Sequence, residues 1–195
     1  MRIFIALDIP DDIRERIARF MEGVRGFAPD ARWVRPESLH VTLKFIGEKA
    51  QEDIEQINEA LRNVRANPVD VDFRGYGFFP SAKAARVFWI GIEAGPKLFN
   101  LAAAVDEAMA SIDIPKEEHA FSPHLTLARG VGGSGSPRRR KGDGPNRSFQ
   151  QLHEKLLAVS ALEFGTMTAC EFALYQSQLS RGGSRYTKLS SFALR

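Results

Sequence analysis

Two stretches decide how this 195-residue chain is read: Ser38-Leu39-His40-Val41-Thr42-Leu43 and Ser122-Pro123-His124-Leu125-Thr126-Leu127. Both run Ser-x-His-apolar-Thr-Leu. The chain holds only four histidines. A His-apolar-Thr-apolar tetrapeptide arises by chance about 0.02 times in such a composition, so two copies ask for a physical reason. On a strand, residues i and i+2 share a face. His40 and Thr42 then project together, as do His124 and Thr126, while Val41, Leu43, Leu125 and Leu127 point the other way, into a core. A packing role alone does not call for the same His and Thr twice in register.

Outward from the motifs, strands and helices follow one another. Arg2–Asp8 alternates around Ile3, Ile5 and Leu7, which predicts a strand. Ile13, Ile17, Phe20, Met21 and Val24 recur at helical spacing after Pro10. His40–Gly47 reads as a strand ending at glycine. Ile54, Ile57, Leu61 and Val64 mark a second helix, stopped by Asn67-Pro68. Val69–Phe79 and Val87–Ile92 read as a strand pair turning at Pro80-Ser81. Leu98–Met109 is a third helix, Phe121–Ala128 a strand, and Phe149–Leu157 a fourth helix. Thr168–Ser177 and Ser184–Leu194 read as two closing strands broken at Gly182-Gly183. Adjacent strands with short turns imply antiparallel neighbours. The expected class is therefore α+β, with two antiparallel sheets backed by helices, in one domain or two small lobes sharing a core.

The composition, 44% hydrophobic and 26% charged, excludes disordered, collagenous and coiled-coil classes. No run approaches the ~20 apolar residues of a membrane span, and the N-terminus reads as a strand and not as a signal peptide. Cys170 is the single cysteine, which rules out an intrachain disulfide and a cysteine-based zinc site and points to a reducing cytoplasm. Net charge is +3, and Arg138, Arg139, Arg140 and Lys141 account for the excess. They lie in a Gly- and Ser-rich segment, 130–146, expected to be a solvated basic loop that attracts polyanions. There is no GxGxxG, phosphate-binding GKS/T loop or HExxH.

Two imidazoles flanking two hydroxyls suit a phosphodiester. Hydrolysis needs a base for the water and an acid for the leaving oxygen, and histidine, with an ordinary pKa of ≈ 6.5, does either near neutral pH. Threonine hydroxyls donate to the non-bridging oxygens as charge develops. No third ligand accompanies the two histidines, so neither a metal nor another cofactor is expected. His119 and His153 lack a following threonine and read as surface residues. Arg129 would suit a phosphate, but strict alternation puts it opposite His124 unless the strand bulges. Lys44 shares the His40/Thr42 face by period two and competes for that role. Phe45, Trp33 and Tyr76 are candidates for stacking on a base, although aromatics at such positions are more often core.

With these residues in place, the chain resembles the two-histidine (2H) phosphoesterase superfamily, whose signature is the paired His-x-Thr-x motif. It is closest to the LigT-like branch, the RNA 2′,3′-cyclic phosphodiesterases. Arg2–Asp8, the run from Trp33 to Gly47, the run from Phe121 to Arg129 and the closing segment with Ser177, Gly182, Tyr186 and Leu189 carry the likeness. Segment 130–146 is longer and more basic than that pattern. The resemblance implies two pseudo-symmetric lobes, each giving one motif to a central cleft, and metal-independent opening of an RNA 2′,3′-cyclic phosphate to a 2′-phosphomonoester. It implies His40 as proton donor, His124 as proton acceptor, and Thr42 and Thr126 as the hydroxyls that hold the phosphate; Arg129 stands beside them as a further substrate-binding candidate on its own chemistry. It also implies reverse 2′–5′ ligation, with tRNA fragments among the substrates; a monomer without membrane association is expected. Two alternatives stand beside it. One is the same chemistry on a small cyclic nucleotide, an ADP-ribose cyclic phosphate or a 2′–5′ oligonucleotide. The other is a non-catalytic RNA- or nucleotide-binding module.

Overall fold

A computed structural model describes residues 1–130, 147–159, 161–180 and 183–195. The Arg138–Lys141 run lies outside the described residues. The elements are β1 (Arg2–Asp8), α1 (Asp11–Val24), β2 (Arg32–Trp33), β3 (His40–Glu48), α2 (Asp53–Arg62), β4 (Val69–Phe79), β5 (Val87–Ala94), α3 (Pro96–Ala110), β6 (His124–Arg129), α4 (Gln150–Leu156), β7 (Glu163–Ala169), β8 (Glu171–Ser180) and β9 (Gly183–Ala193). They form the expected α+β fold with two sheets, in the orders β3-β1-β8-β9 and β2-β6-β5-β4-β7. Every pairing is antiparallel.

One buried cluster runs through both sheets and draws on every helix: Ile3, Ile5, Leu7, Val41 and Leu174 from the first sheet, Phe73, Phe88, Ile90 and Leu125 from the second. β1 is central, and its other face is also covered, because Phe4 and Ala6 pack with Tyr175 and Tyr186. That second, smaller cluster lines the face of the sheet on which His40 stands. α1 starts after Pro10 with Asp11 and Asp12 in its first turn, where carboxylates favour the positive end of the helix dipole. From α1, Arg14 donates to the Ile9 carbonyl (2.9 Å), to the Pro36 carbonyl (2.8 Å) and to the Leu39 carbonyl (3.3 Å). It thereby ties the end of β1 to the run-in of β3.

The closing region differs from the sequence expectation. Thr168–Ser177 is not one strand. The chain leaves the second sheet at Ala169, passes Cys170, and enters the first sheet at Glu171. β7 and β8 thus continue one another in sequence but belong to different sheets, a switch that period-two patterning does not mark. The strand expected over Phe121–Ala128 begins only at His124, since Pro123 has no N–H to give a ladder.

Candidate active site

β3 carries the first motif at one edge of the first sheet, and β6 carries the second motif in the other sheet; the two strands approach each other. Between them opens a cavity of about 910 Å³, lined by His40, Thr42, His124, Thr126, Arg129 and Tyr186. The structure therefore brings together the two histidines, the two threonines and the arginine named from sequence. Among the described residues no group of three or more His, Cys, Asp or Glu side chains is arranged to hold a metal ion.

The two imidazoles are held alike. His40 Nδ1 lies 2.7 Å from the Ser38 carbonyl oxygen, and His124 Nδ1 lies 2.8 Å from that of Ser122. A carbonyl only accepts, so Nδ1–H donates in both cases and Nε2 carries the free lone pair. The Ser-x-His repeat is thus a backbone device: the carbonyl two residues upstream fixes the tautomer. Each ring also rests on aromatics. His40 sits 4.7 Å from the Phe4 ring and 5.0 Å from that of Tyr186. His124 meets Phe79 at 4.9 Å and Trp89 at 6.3 Å. Trp89 lies across Gly77, where an added Cβ would fall 2.1 Å from its ring, so glycine is what lets this indole reach its place beside His124.

Burial pushes both imidazoles below their ordinary pKa of 6.5, His40 to about 4, although the Ser38 carbonyl and Asp8 favour its charged form. His124 is lowered for the same reason, against the pull of the Ser122 carbonyl. The positive charge of Arg129 acts on both rings in the same direction, so its guanidinium lies within reach of each. Neutral-pH titration, expected from unperturbed histidine, is thus moved to the acid side.

Arg129 reaches the cavity by a bulge. Thr126 pairs with Trp89, but Ala128 pairs with Phe88 and Arg129 with Val87, so Leu127 is the extra residue. Leu127 and Ala128 both face the core, and Arg129 returns to the face of His124 and Thr126. β3 bulges at the same place in its motif: Thr42 pairs with Ala6 and Lys44 with Ile5, leaving Leu43 unmatched. This overturns the face expected for Lys44, which pairs with Ile5 and does not share the His40/Thr42 face, although it still lines the cavity. It turns inward, 3% exposed, with Nζ donating to Asp106 Oδ1 at 2.5 Å and to the Pro115 carbonyl at 2.9 Å. Lys44 therefore ties β3 to α3 and the segment after it, and Phe45 takes the cleft-facing position that Arg129 occupies on β6.

Phe45 is 52% exposed at the cavity. Trp33 and Tyr76 are not in the cleft. Trp33 packs edge-on against Phe88, and its Nε1–H donates to the Ala28 carbonyl at 3.1 Å; Tyr76 packs on Phe78 and Phe88. His119 is exposed as expected, yet it also lines the cavity. His153 is half-buried with its ring edge-on to Phe78, not a surface residue. Sequence reasoning missed Tyr186, Phe79 and Phe121 as cavity walls. No local pattern points to them, because each meets the motifs only through tertiary contact.

Two imidazoles, two hydroxyls and an arginine around one hollow are groups able to move protons and to hold a phosphoryl group. The comparisons agree with that class. The family model described as LigT like phosphoesterase matches residues 7–89. The RNA 2′,3′-cyclic phosphodiesterase of Archaeoglobus fulgidus is 31% identical over 192 residues, 98% of this chain and 99% of that protein. Its namesake from Methanothermobacter thermautotrophicus is 28% identical over 196 residues, 100% of this chain and 99% of its own length. The crystal structure of E. coli LigT complexed with 3′-AMP superposes with a TM-score of 0.76 at 26% identity, over 99% of this chain and 97% of that one. The chain belongs to the LigT-like phosphoesterase family. No helix of the described residues is long and apolar enough to cross a membrane.

Proposed function

We propose that the protein hydrolyses RNA 2′,3′-cyclic phosphate ends to 2′-phosphomonoesters by acid–base catalysis between its two motif histidines, without a metal. The observation that carries this reading is the matched pair of Nδ1–H···O=C bonds, which leaves two Nε2 atoms for proton transfer beside one cavity. His124 Nε2 takes a proton from water as the water oxygen bonds to phosphorus. The bond from phosphorus to O3′ breaks, and His40, entering the step as the imidazolium with both ring nitrogens protonated, gives its Nε2 proton to that oxygen. Thr42, Thr126 and Arg129 hold the non-bridging oxygens, where hydroxyl and guanidinium donors strengthen as charge builds. The relatives named above are RNA 2′,3′-cyclic phosphodiesterases, which supports the substrate.

The finer parts of the reading are that tRNA fragments serve as substrates, that the reverse reaction joins ends through 2′–5′ linkages, and that the protein is a cytoplasmic monomer. The lone Cys170 agrees with a reducing compartment. The test is an assay in EDTA with a short RNA ending in a 2′,3′-cyclic phosphate. The expected product is the 2′-phosphomonoester, and His40→Ala and His124→Ala are each expected to lower turnover by about 10²–10⁴. A reaction that stops in EDTA and resumes with a divalent cation, or either variant at full turnover, overturns the mechanism.

A further inference from the structure

The two imidazoles are fixed alike by their upstream carbonyls, but what stands across the ladder from each is not alike. His40 is paired directly with Asp8, the last residue of β1. Residues so opposed share a face, with Cβ atoms about 4.5–5.5 Å apart, which puts the Asp8 carboxylate within reach of the His40 ring. His124 is paired with Gly91. A Cβ added at Gly91 would fall 2.4 Å from the Arg74 carbonyl oxygen, so the backbone admits no side chain there. One histidine therefore has an anion opposite it, and the other faces a position that can hold none.

The carboxylate is held in place from two further strands. The Tyr175 hydroxyl donates to Asp8 Oδ1, and Lys188 Nζ lies 2.5 Å from Asp8 Oδ2. Tyr175 stacks on Phe4 at 5.4 Å, and Phe4 meets the His40 ring at 4.7 Å, so anchor and imidazole share one aromatic support. Glu171 meets Lys188 from the other side at 3.1 Å. Asp8, Tyr175 and Lys188 are not among the described residues that line the cavity; they stand behind the histidine. Burial opposes a charge on His40, as do Arg129 and Arg14, while the Ser38 carbonyl and Asp8 favour it. Tyr186 meets the ring edge-on from β9, and His124 stands at the same cavity. Asp8 is the one carboxylate among these groups. Since the His40 Nδ1–H is already given to Ser38, Asp8 acts on the ring through its charge.

We propose that Asp8, anchored by Tyr175 and Lys188, is a positioning residue that holds His40 as the charged proton donor, and that Gly91 leaves His124 without an anion and so free to accept. Two motifs of the same sequence are thereby given opposite roles, and Asp8 and Gly91 set the direction in which the proton crosses the site. This rests on the acid–base phosphodiesterase reading above.

The experiment titrates the histidines by NMR, in the free protein and in its complex with cytidine 2′-monophosphate, with the His40 signal assigned by its loss in His40→Gln. In Asp8→Asn the His40 midpoint is expected about one pH unit below that of the wild type, with the His124 midpoint unmoved. One unit is the low end for an opposite charge at ~4–6 Å, chosen because the Asp8 side chain is 43% exposed. Lys188→Met, which removes a neighbouring cation and keeps the carboxylate, is expected not to lower the His40 midpoint. Asparagine keeps the size of the side chain and still accepts from Tyr175, so Asp8→Asn is expected to melt within a few degrees of wild type. With the cyclic-ended RNA, Asp8→Asn is expected to lower kcat on the alkaline side of its optimum by about three- to tenfold. The loss of charged donor is tenfold per unit, and a stronger acid gives its proton more readily. KM is expected to stay unchanged. An unshifted His40 midpoint in Asp8→Asn overturns the proposal, as does an equal shift of both histidines or an equal fall in Lys188→Met. Wild type that opens no cyclic phosphate overturns the phosphodiesterase reading instead, and the midpoints still decide what Asp8 does to His40.

Discussion

Burial of the His40 imidazole has a consequence for stability that can be worked through as a function of pH. Its pKa is about 4 in the folded protein against 6.5 for the free side chain. Between these values the unfolded chain takes up a proton at His40 and the folded chain does not, so stability falls as pH falls from 6.5 towards 4. The full difference of 2.5 units is about 3.4 kcal/mol at 1.36 kcal/mol per unit. From pH 7 to pH 5 the linkage integral is about 1.8 kcal/mol. The perturbation is His40→Gln, which keeps a polar side chain of similar size but does not titrate. Urea unfolding of both proteins at pH 7 and pH 5 gives two differences, and carboxylates such as Asp8 contribute to both alike. Asp8 is held below its ordinary pKa, as hydrogen bonds from Lys188 and Tyr175 outweigh the upward push of burial. Wild type is expected to lose about 1.8 kcal/mol more than the variant on going to pH 5. Equal losses would show that His40 titrates normally in the folded state and would refute the account of its burial.

The same lowering sets the pH profile of the proposed reaction. An acid at His40 near pH 4 and a base at His124 below 6.5 give a bell in kcat/KM with its maximum on the acid side of 6.5. Bound phosphate, an anion, favours the charged rings, so the kcat profile is expected to lie at higher pH than that of kcat/KM; stopped-assay rates from pH 4 to 9 read both, and a kcat/KM maximum above 7 contradicts the assignment. Lys44→Met removes the buried cation of the Lys44–Asp106 pair, whose carboxylate is partly exposed, and is expected to cost about 3 kcal/mol in urea unfolding. Lys44→Met/Asp106→Leu, which removes both charges, is expected to recover most of that loss, and a double variant no better than the single one would show that the pair is not what matters there.

The two halves of the site are built by one local rule applied twice. In each, an upstream carbonyl fixes the imidazole, a threonine follows on the same face, and a bulge one residue later reverses the alternation. The bulge brings Phe45 to the cleft on β3 and Arg129 on β6. One side thus presents an aromatic ring and the other a cation, which gives the cleft unlike walls.

Much of this was legible in the residues alone. The doubled motif located both histidines and both threonines, because period-two geometry needs only neighbours in sequence. Helix periodicity located all four helices within a few residues. Lys44, Arg129 and the switch at Cys170 were decided by the tertiary structure. A bulge depends on which strand lies alongside, and nothing in His40–Glu48 or His124–Arg129 records that partner. The same holds for Tyr186, which reaches the cleft through the pairing of β9 with β8 and of β8 with β1. Local sequence sets the face on which each side chain stands, and long-range pairing sets what that face meets.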